Sequence, residues 1–269
     1  MGAPAPQSVV DQVRTVDWAV EAFRAAGLDV HTEPYTSASN PATAVVGQQY
    51  VGPENVVAEI RGREKPDEIV VLIGVINPFQ LRDHPEMAAD AAVLVEAARD
   101  IKVTGLVPRR TLRFVLLLSG GTDACSASDY TNSQDSEMVG TIAVIFVSQG
   151  AGHGTRFLLN GRHDIEPQVA EALKPLQSLA LAPVSYDQVL SNCTEPFLLQ
   201  GVPTLVANPE QWASRSSPIA LDQTDIQELE RHAAIGGVTA FDVAEDVAPL
   251  GPRLAPAEAE TLMKKTPQQ

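Results

Sequence analysis

Ile69-Val70-Val71-Leu72-Ile73 and Phe114-Val115-Leu116-Leu117-Leu118 decide the fold. A strand wet on one face alternates apolar and polar residues, whereas these runs are apolar at every position. Strands of that kind are buried on both faces, between layers of helix. Working outward, the pattern predicts strands over 55–60, 68–73, 111–118, 140–147 and 204–207. A turn at 61–66 joins the first two. Helices are expected over 86–101, in a short piece around 126–130, and over 168–173, 226–243 and part of 255–265. Upstream, Val9, Val13, Val16, Val20 and Phe23 recur at helical spacing behind a capping Ser8, and Gly27 supplies the stop. Val30, Thr32 and Pro34 suggest a strand ending near Tyr35, with the proline favouring a sheet edge. Residues 36–53, rich in Ser, Pro, Ala and Gly, read as loop. The order of elements predicts a three-layer αβα sandwich with a mixed, mostly parallel central sheet.

Composition bounds the function. The 269 residues are 44% hydrophobic and 20% charged, ordinary for a chain that buries a core. Thirty-four acids against nineteen bases leave a net charge of −15, which disfavours nucleic acid and anionic membrane surfaces. No run is long enough to span a bilayer, and the start Met1-Gly2-Ala3-Pro4-Ala5-Pro6 shows no signal-peptide pattern. Two cysteines, Cys125 and Cys193, exclude a disulfide-rich scaffold and a cysteine-rich zinc site; whether they pair, and in which compartment, stays open.

In open α/β sheets, sites gather beyond the carboxyl ends of the central strands. Those ends are Gly74-Val75-Ile76-Asn77, Ser119-Gly120-Gly121-Thr122-Asp123 and Ser148-Gln149-Gly150. The segments that flank them carry a family pattern in order: Asn55-Val56-Val57-Ala58-Glu59-Ile60-Arg61-Gly62, Lys65-Pro66-Asp67-Glu68, Glu96-Ala97-Ala98-Arg99, Pro108-Arg109-Arg110-Thr111-Leu112-Arg113-Phe114, and Glu195-Pro196-Phe197 through Gly201-Val202-Pro203. Over roughly residues 55–245 the chain resembles the dizinc aminopeptidase family that includes carboxypeptidase Q. That family shares a superfamily with glutamate carboxypeptidase, transferrin receptor and nicastrin. The resemblance implies a single peptidase-like domain over 1–269, with no protease-associated insert because only the short 36–53 interval stands where one would be.

The resemblance also implies a site in which two zinc ions about 3.5–4 Å apart activate a water for attack on a peptide carbonyl. This chain departs from it position by position. Val75-Ile76-Asn77 stands where the family has His-x-Asp, and Glu86 where it has a bridging Asp. Gly120-Gly121 replaces Glu-Glu, the base and a ligand. Ser148 takes the Asp position of Asn-Leu-Asp, and Arg215 the position of the last His. The substrate-side Ser-Asp-His loop reads Asn192-Cys193-Thr194. Valine and glycine cannot ligate zinc, and an arginine brings fixed positive charge to a place meant for a dication.

Three functional readings follow. The first is a noncatalytic homologue, with neither zinc nor another cofactor, that binds a protein or peptide partner on the peptidase fold; self-association is left open. The second is an active zinc exopeptidase whose ligands lie elsewhere in the sequence. The third is a hydrolase without metal. Local rivals were weighed on their residues. Glu86, Asp123, His84 and His153 border the cleft and form the candidate set for a relocated metal. Ser148 with His153 is the candidate nucleophile pair, although the first glycine of a nucleophile elbow is missing. Ser119-Gly120-Gly121-Thr122 could cradle an anion but reads more simply as a turn. Cys193 is a candidate thiol nucleophile or a small buried hydrophobe.

Overall fold

The computed structural model describes residues 7–35, 44–46, 49–51, 54–78, 81, 88–120, 124–133, 135–147, 155–179, 181–207 and 226–264. Ten strands and eight α-helices lie in these segments: α1 Gln7–Ala25, β1 Asp29–Pro34, β2 Ala44–Val46, β3 Gln49–Val51, β4 Glu54–Ile60, β5 Lys65–Ile76, α2 Ala88–Thr104, β6 Arg110–Gly120, β7 Ala124–Cys125, α3 Ala127–Ser133, α4 Asp135–Gly140, β8 Thr141–Phe146, β9 Phe157–Leu158, α5 Glu166–Ala172, α6 Glu195–Leu199, β10 Thr204–Ala207, α7 Ile226–Glu245 and α8 Pro256–Lys264.

Seven strands form the main sheet in the order β1-β4-β6-β5-β8-β10-β9, and β7 pairs with the end of β6. The middle four, β6, β5, β8 and β10, run parallel. Antiparallel β4, β1 and β9 flank them. The strands read from sequence at 68–73, 111–118 and 140–147 correspond to β5, β6 and β8, which lie side by side, and β1, with its Pro34, is an edge. Every residue of β5 from Ile69 to Ile76 and of β6 from Arg110 to Leu118 is buried, which is why neither strand alternates in sequence.

Two cores flank the sheet. One lies under α1, α2 and α7, around Val70, Leu72, Phe114 and Leu116; the other lies under α3, α4 and α6, around Val71, Ile73, Val115 and Phe197. Successive β5 residues alternate between them, so Val75 belongs to the second core and Ile76 to the first. Small residues let α2 and α7 approach closely. A methyl group built at Gly237 would lie 3.5 Å from Cβ of Ala97, and one at Gly236 only 2.6 Å from Cγ1 of Val147.

The amino ends of the strands are tied by arginines. Arg110, fully buried, donates to the Glu68 carboxylate at 2.5 Å, to the Asp246 carbonyl, and to the Val247 carbonyl at 3.2 Å. Arg63 and the Arg109 backbone N–H both donate to Glu245 at the end of α7. The hydrogen bond from Arg63 holds the Glu245 carboxyl below its ordinary pKa.

Three local expectations are corrected. Residues 36–53, expected as loop, contain the antiparallel pair β2-β3. Residues 65 and 66, expected as turn, begin β5, because Lys65 pairs with Arg110 and the Pro66 carbonyl accepts from the Thr111 hydroxyl. Ser8 lies inside α1, which starts at Gln7.

Candidate functional site

Four parallel strands end side by side, and their last residues form the floor of the candidate site. Val75 pairs with Leu117 and Ile76 with Leu118; on the other side Ile73 pairs with Phe146, which pairs with Val206. Val75 and Asn77 are both buried, at 4% exposure each. On β6 the chain reverses immediately: Gly120 pairs with Ala124 and Ser119 with Cys125. Of the stretch 119–122, Ser119 and Gly120 belong to this pairing, and Gly121 and Thr122 lie outside the described residues. Of the positions singled out from sequence, Val75, Asn77, Gly120, Asn192, Cys193 and Thr194 fall on described residues. Gly121, Asp123, His84, Glu86, Ser148, His153 and Arg215 lie outside them.

Hydrogen bonds fix the reversal after β6. The buried Asn55 side-chain oxygen accepts from the Leu118 N–H at 3.1 Å and from the Ser126 hydroxyl at 2.5 Å. The 192–194 turn is fixed as firmly. Thr194, fully buried, donates its hydroxyl to the Val189 carbonyl at 2.5 Å and accepts from the Ser191 N–H at 3.1 Å. Its hydroxyl is committed to shaping the loop that starts α6.

Cys193 is corrected. It is bonded to Cys125, with Cα atoms 5.3 Å apart, and no described cysteine is free. A disulfide sulfur is not a thiol nucleophile, so that role falls away. The bond joins the β6-β7 reversal to the 192–194 turn. It walls a cleft of about 460 Å³ between α3 and α6, lined also by Ser128, Asn132, Asn192, Glu195 and Leu199. Sequence alone left this pairing open.

Two further groups were not singled out from sequence. His232 on α7 is 3% exposed. Its Nδ1 lies 2.7 Å from the Glu228 carbonyl, so Nδ1 is the protonated nitrogen and Nε2 accepts from the Thr155 hydroxyl at 3.2 Å. Burial, with Arg231 adding to it, pushes the imidazole pKa down against the opposing pull of Glu228. Tyr35 is buried, and burial together with the charge of Asp129 raises its phenol pKa. Burial also raises the Asp129 carboxyl.

No family model matches the chain, and no curated protein matches it. Solved structures do. A Peptidase M28 precursor from Shewanella amazonensis superposes with a TM-score of 0.61 at 20% identity, covering 77% of this chain and 49% of that one. A leucine aminopeptidase precursor from Bacteroides thetaiotaomicron gives 0.60 at 14% identity, over 88% of this chain and 89% of that one. A glutaminyl cyclase from Fimbriiglobus ruber gives 0.60 at 12% identity, over 87% of each chain. The chain has the zinc-aminopeptidase fold. It spans about half the length of the Shewanella protein. Identities this low establish architecture, and the same architecture carries a peptidase and a cyclase in those neighbours.

That fold makes a dimetal site the one to test against this chain's own donors. Val75 and Gly120 have no side-chain donor, and Asn77 offers a neutral amide. Among the described residues no three His, Cys, Asp or Glu side chains cluster in a way that could hold a metal ion. The described residues do not fit a zinc pair.

Proposed function

We propose that this chain is a noncatalytic relative of the zinc exopeptidases, similar in pattern to the carboxypeptidase Q-like group, whose fold serves as a binding platform for a protein or peptide partner. The carrying observation is the donor chemistry at the strand ends: buried Val75 is the next-to-last residue of β5 and Gly120 closes β6, where dimetal chemistry needs an imidazole and a carboxylate. By the same correspondence Gly121 replaces a carboxylate, Ser148 another, and Arg215 an imidazole. Glu86 keeps one carboxylate, which cannot balance two dications. The assignment takes no zinc and no other cofactor.

The Cys125–Cys193 bond supports an oxidising working environment, because disulfides persist outside reducing cytosol. Among the described residues no helix is long and apolar enough to cross a membrane. The net charge of −15 supports a protein or peptide partner over nucleic acid.

Elemental analysis after incubation with zinc and removal of the excess tests the reading, alongside hydrolysis of aminoacyl-anilides. Substoichiometric zinc and no hydrolysis are expected. Two zincs per chain, with activity lost on chelation, overturn the proposal.

A further inference from the structure

A second cleft, of about 660 Å³, opens on the other face of the sheet, between α1 and the segment that leaves β5. Its walls are apolar: Trp18 from α1, Ile76 and Pro78 from the strand end, Leu81, and Ala92 from α2. Trp18 is 45% exposed, a large aromatic surface left uncovered beside a hydrophobic hollow. One turn before it, on the same face of α1, stands Arg14. Arg14 is exposed and makes no ion pair or hydrogen bond among the described residues. On a chain carrying fifteen more acids than bases, a guanidinium at the mouth of an apolar cleft and without a carboxylate partner is unusual.

We infer that this cleft binds a small amphipathic monocarboxylic acid, its carboxylate on Arg14 and its hydrocarbon or aromatic body against Trp18, Ile76, Pro78 and Leu81. Size and lining are those of small-molecule sites, mostly apolar with few polar groups. The guanidinium fork matches a carboxylate with two parallel hydrogen bonds. Arg14 is the one cation among the described lining residues, so the cleft matches a single carboxylate better than a phosphate or dicarboxylate. An extended peptide is disfavoured for a different reason. β5 is an interior strand, paired with β6 and β8, and offers a peptide main chain no free edge. The inference is independent of whether the strand ends are catalytic, since Ile76 and Val75 face opposite cores.

The test uses tryptophan emission. The sequence has two tryptophans, so Trp212→Phe leaves Trp18 as the reporter. Octanoate, octylamine and octanol are titrated into the full chain. Octanoate is expected to shift the Trp18 emission saturably, with octanol binding about tenfold more weakly and octylamine weaker still. Arg14→Gln, a change at an exposed side chain, is expected to weaken octanoate about tenfold while thermal unfolding stays unchanged. Ala92→Phe, which fills the cleft, is expected to abolish the response. Equal affinity for octanol and octanoate, or an Arg14→Gln variant that binds octanoate as the parent does, overturns the carboxylate assignment. An octanoate response unaffected by Ala92→Phe places the ligand elsewhere and overturns the site. A peptide with an apolar carboxyl-terminal residue that displaces octanoate at far lower concentration identifies a protein tail as the occupant and overturns the small-molecule reading.

Discussion

Reducing or deleting the Cys125–Cys193 bond perturbs the strand-end region at the margin of the core under α3, α4 and α6. The cysteines are 68 positions apart in sequence. Closing a loop of that length in the unfolded chain is worth about 4 kcal/mol in the chain-entropy account. The unfolding entropy of globular domains is about 2.1 cal/mol/K per residue, so for 269 residues that free energy corresponds to roughly 7 °C in Tm. Two samples test it: the double variant Cys125→Ala/Cys193→Ala, and the parent chain reduced under denaturing conditions and refolded in reductant. Both are followed by calorimetry against the oxidised parent. Both are expected to melt about 7 °C lower with the folded-state circular dichroism retained, because Cys193 packs at the margin of its core rather than its centre. Titration of the untreated parent with a thiol reagent is expected to find no free thiol. Two reactive thiols in the untreated protein, or a Tm shift under about 2 °C in both samples, refutes the reasoning.

Arg110→Ala removes a buried guanidinium that satisfies Glu68 and two carbonyls at the end of α7. It should cost about 3 kcal/mol in urea unfolding, and a change below about 1 kcal/mol argues that water replaces the side chain. His232 is held neutral in the native state with its pKa lowered, so the unfolded chain binds more protons below about pH 6.5 and stability falls as pH drops through that range, by up to about 1.4 kcal/mol per pH unit. His232→Gln should flatten the Tm profile between pH 7 and 5; an unchanged profile assigns the acid sensitivity to other groups. Gly236→Ala gains helix propensity of about 1 kcal/mol but drives a methyl group to 2.6 Å from the stiff Val147 side chain, so a net loss of about 1 kcal/mol is expected by chemical denaturation. A stabilised variant would show that α7 can slide away from the sheet.

The architecture was legible wherever burial acts on consecutive residues of one segment. The β5 and β6 runs needed no partner information, since apolarity on both faces is recorded in each strand alone. The ends of elements were less legible because partners supply them. Lys65-Pro66-Asp67 carries no strand signal; the start of β5 is held in extended form by pairing with Arg110 and by the Thr111 hydroxyl. The short α4 is hidden by Asp135-Ser136-Glu137, and its apolar anchor is Met138, packed into the core on the α3 side. The β2-β3 hairpin has strands of three residues each, too short for an alternation to be read against a Ser/Pro/Ala/Gly background. At the site, spatial pairing was not legible in sequence: the bond between Cys125 and Cys193 depends on two loops meeting.

That bond bears on how a sheet of this kind keeps its carboxyl end in order. In a dimetal site, ligands from several loops share the same cations, and metal binding contributes to folding. Val75 and Gly120 carry no side-chain donor for such a linkage, and among the described residues other contacts order the same loops. Asn55 holds the reversal after β6 through two hydrogen bonds, Thr194 holds the 192–194 turn through two more, and the disulfide joins those two rigid pieces to each other. Each of these contacts is internal to the protein and orders the carboxyl-end loops on its own. The same reasoning explains why the arginine ties at the amino ends of the strands are compatible with either reading: Arg63, Arg109 and Arg110 fasten α7 to the sheet at the end remote from the chemistry. The discriminating residues are all at the other end.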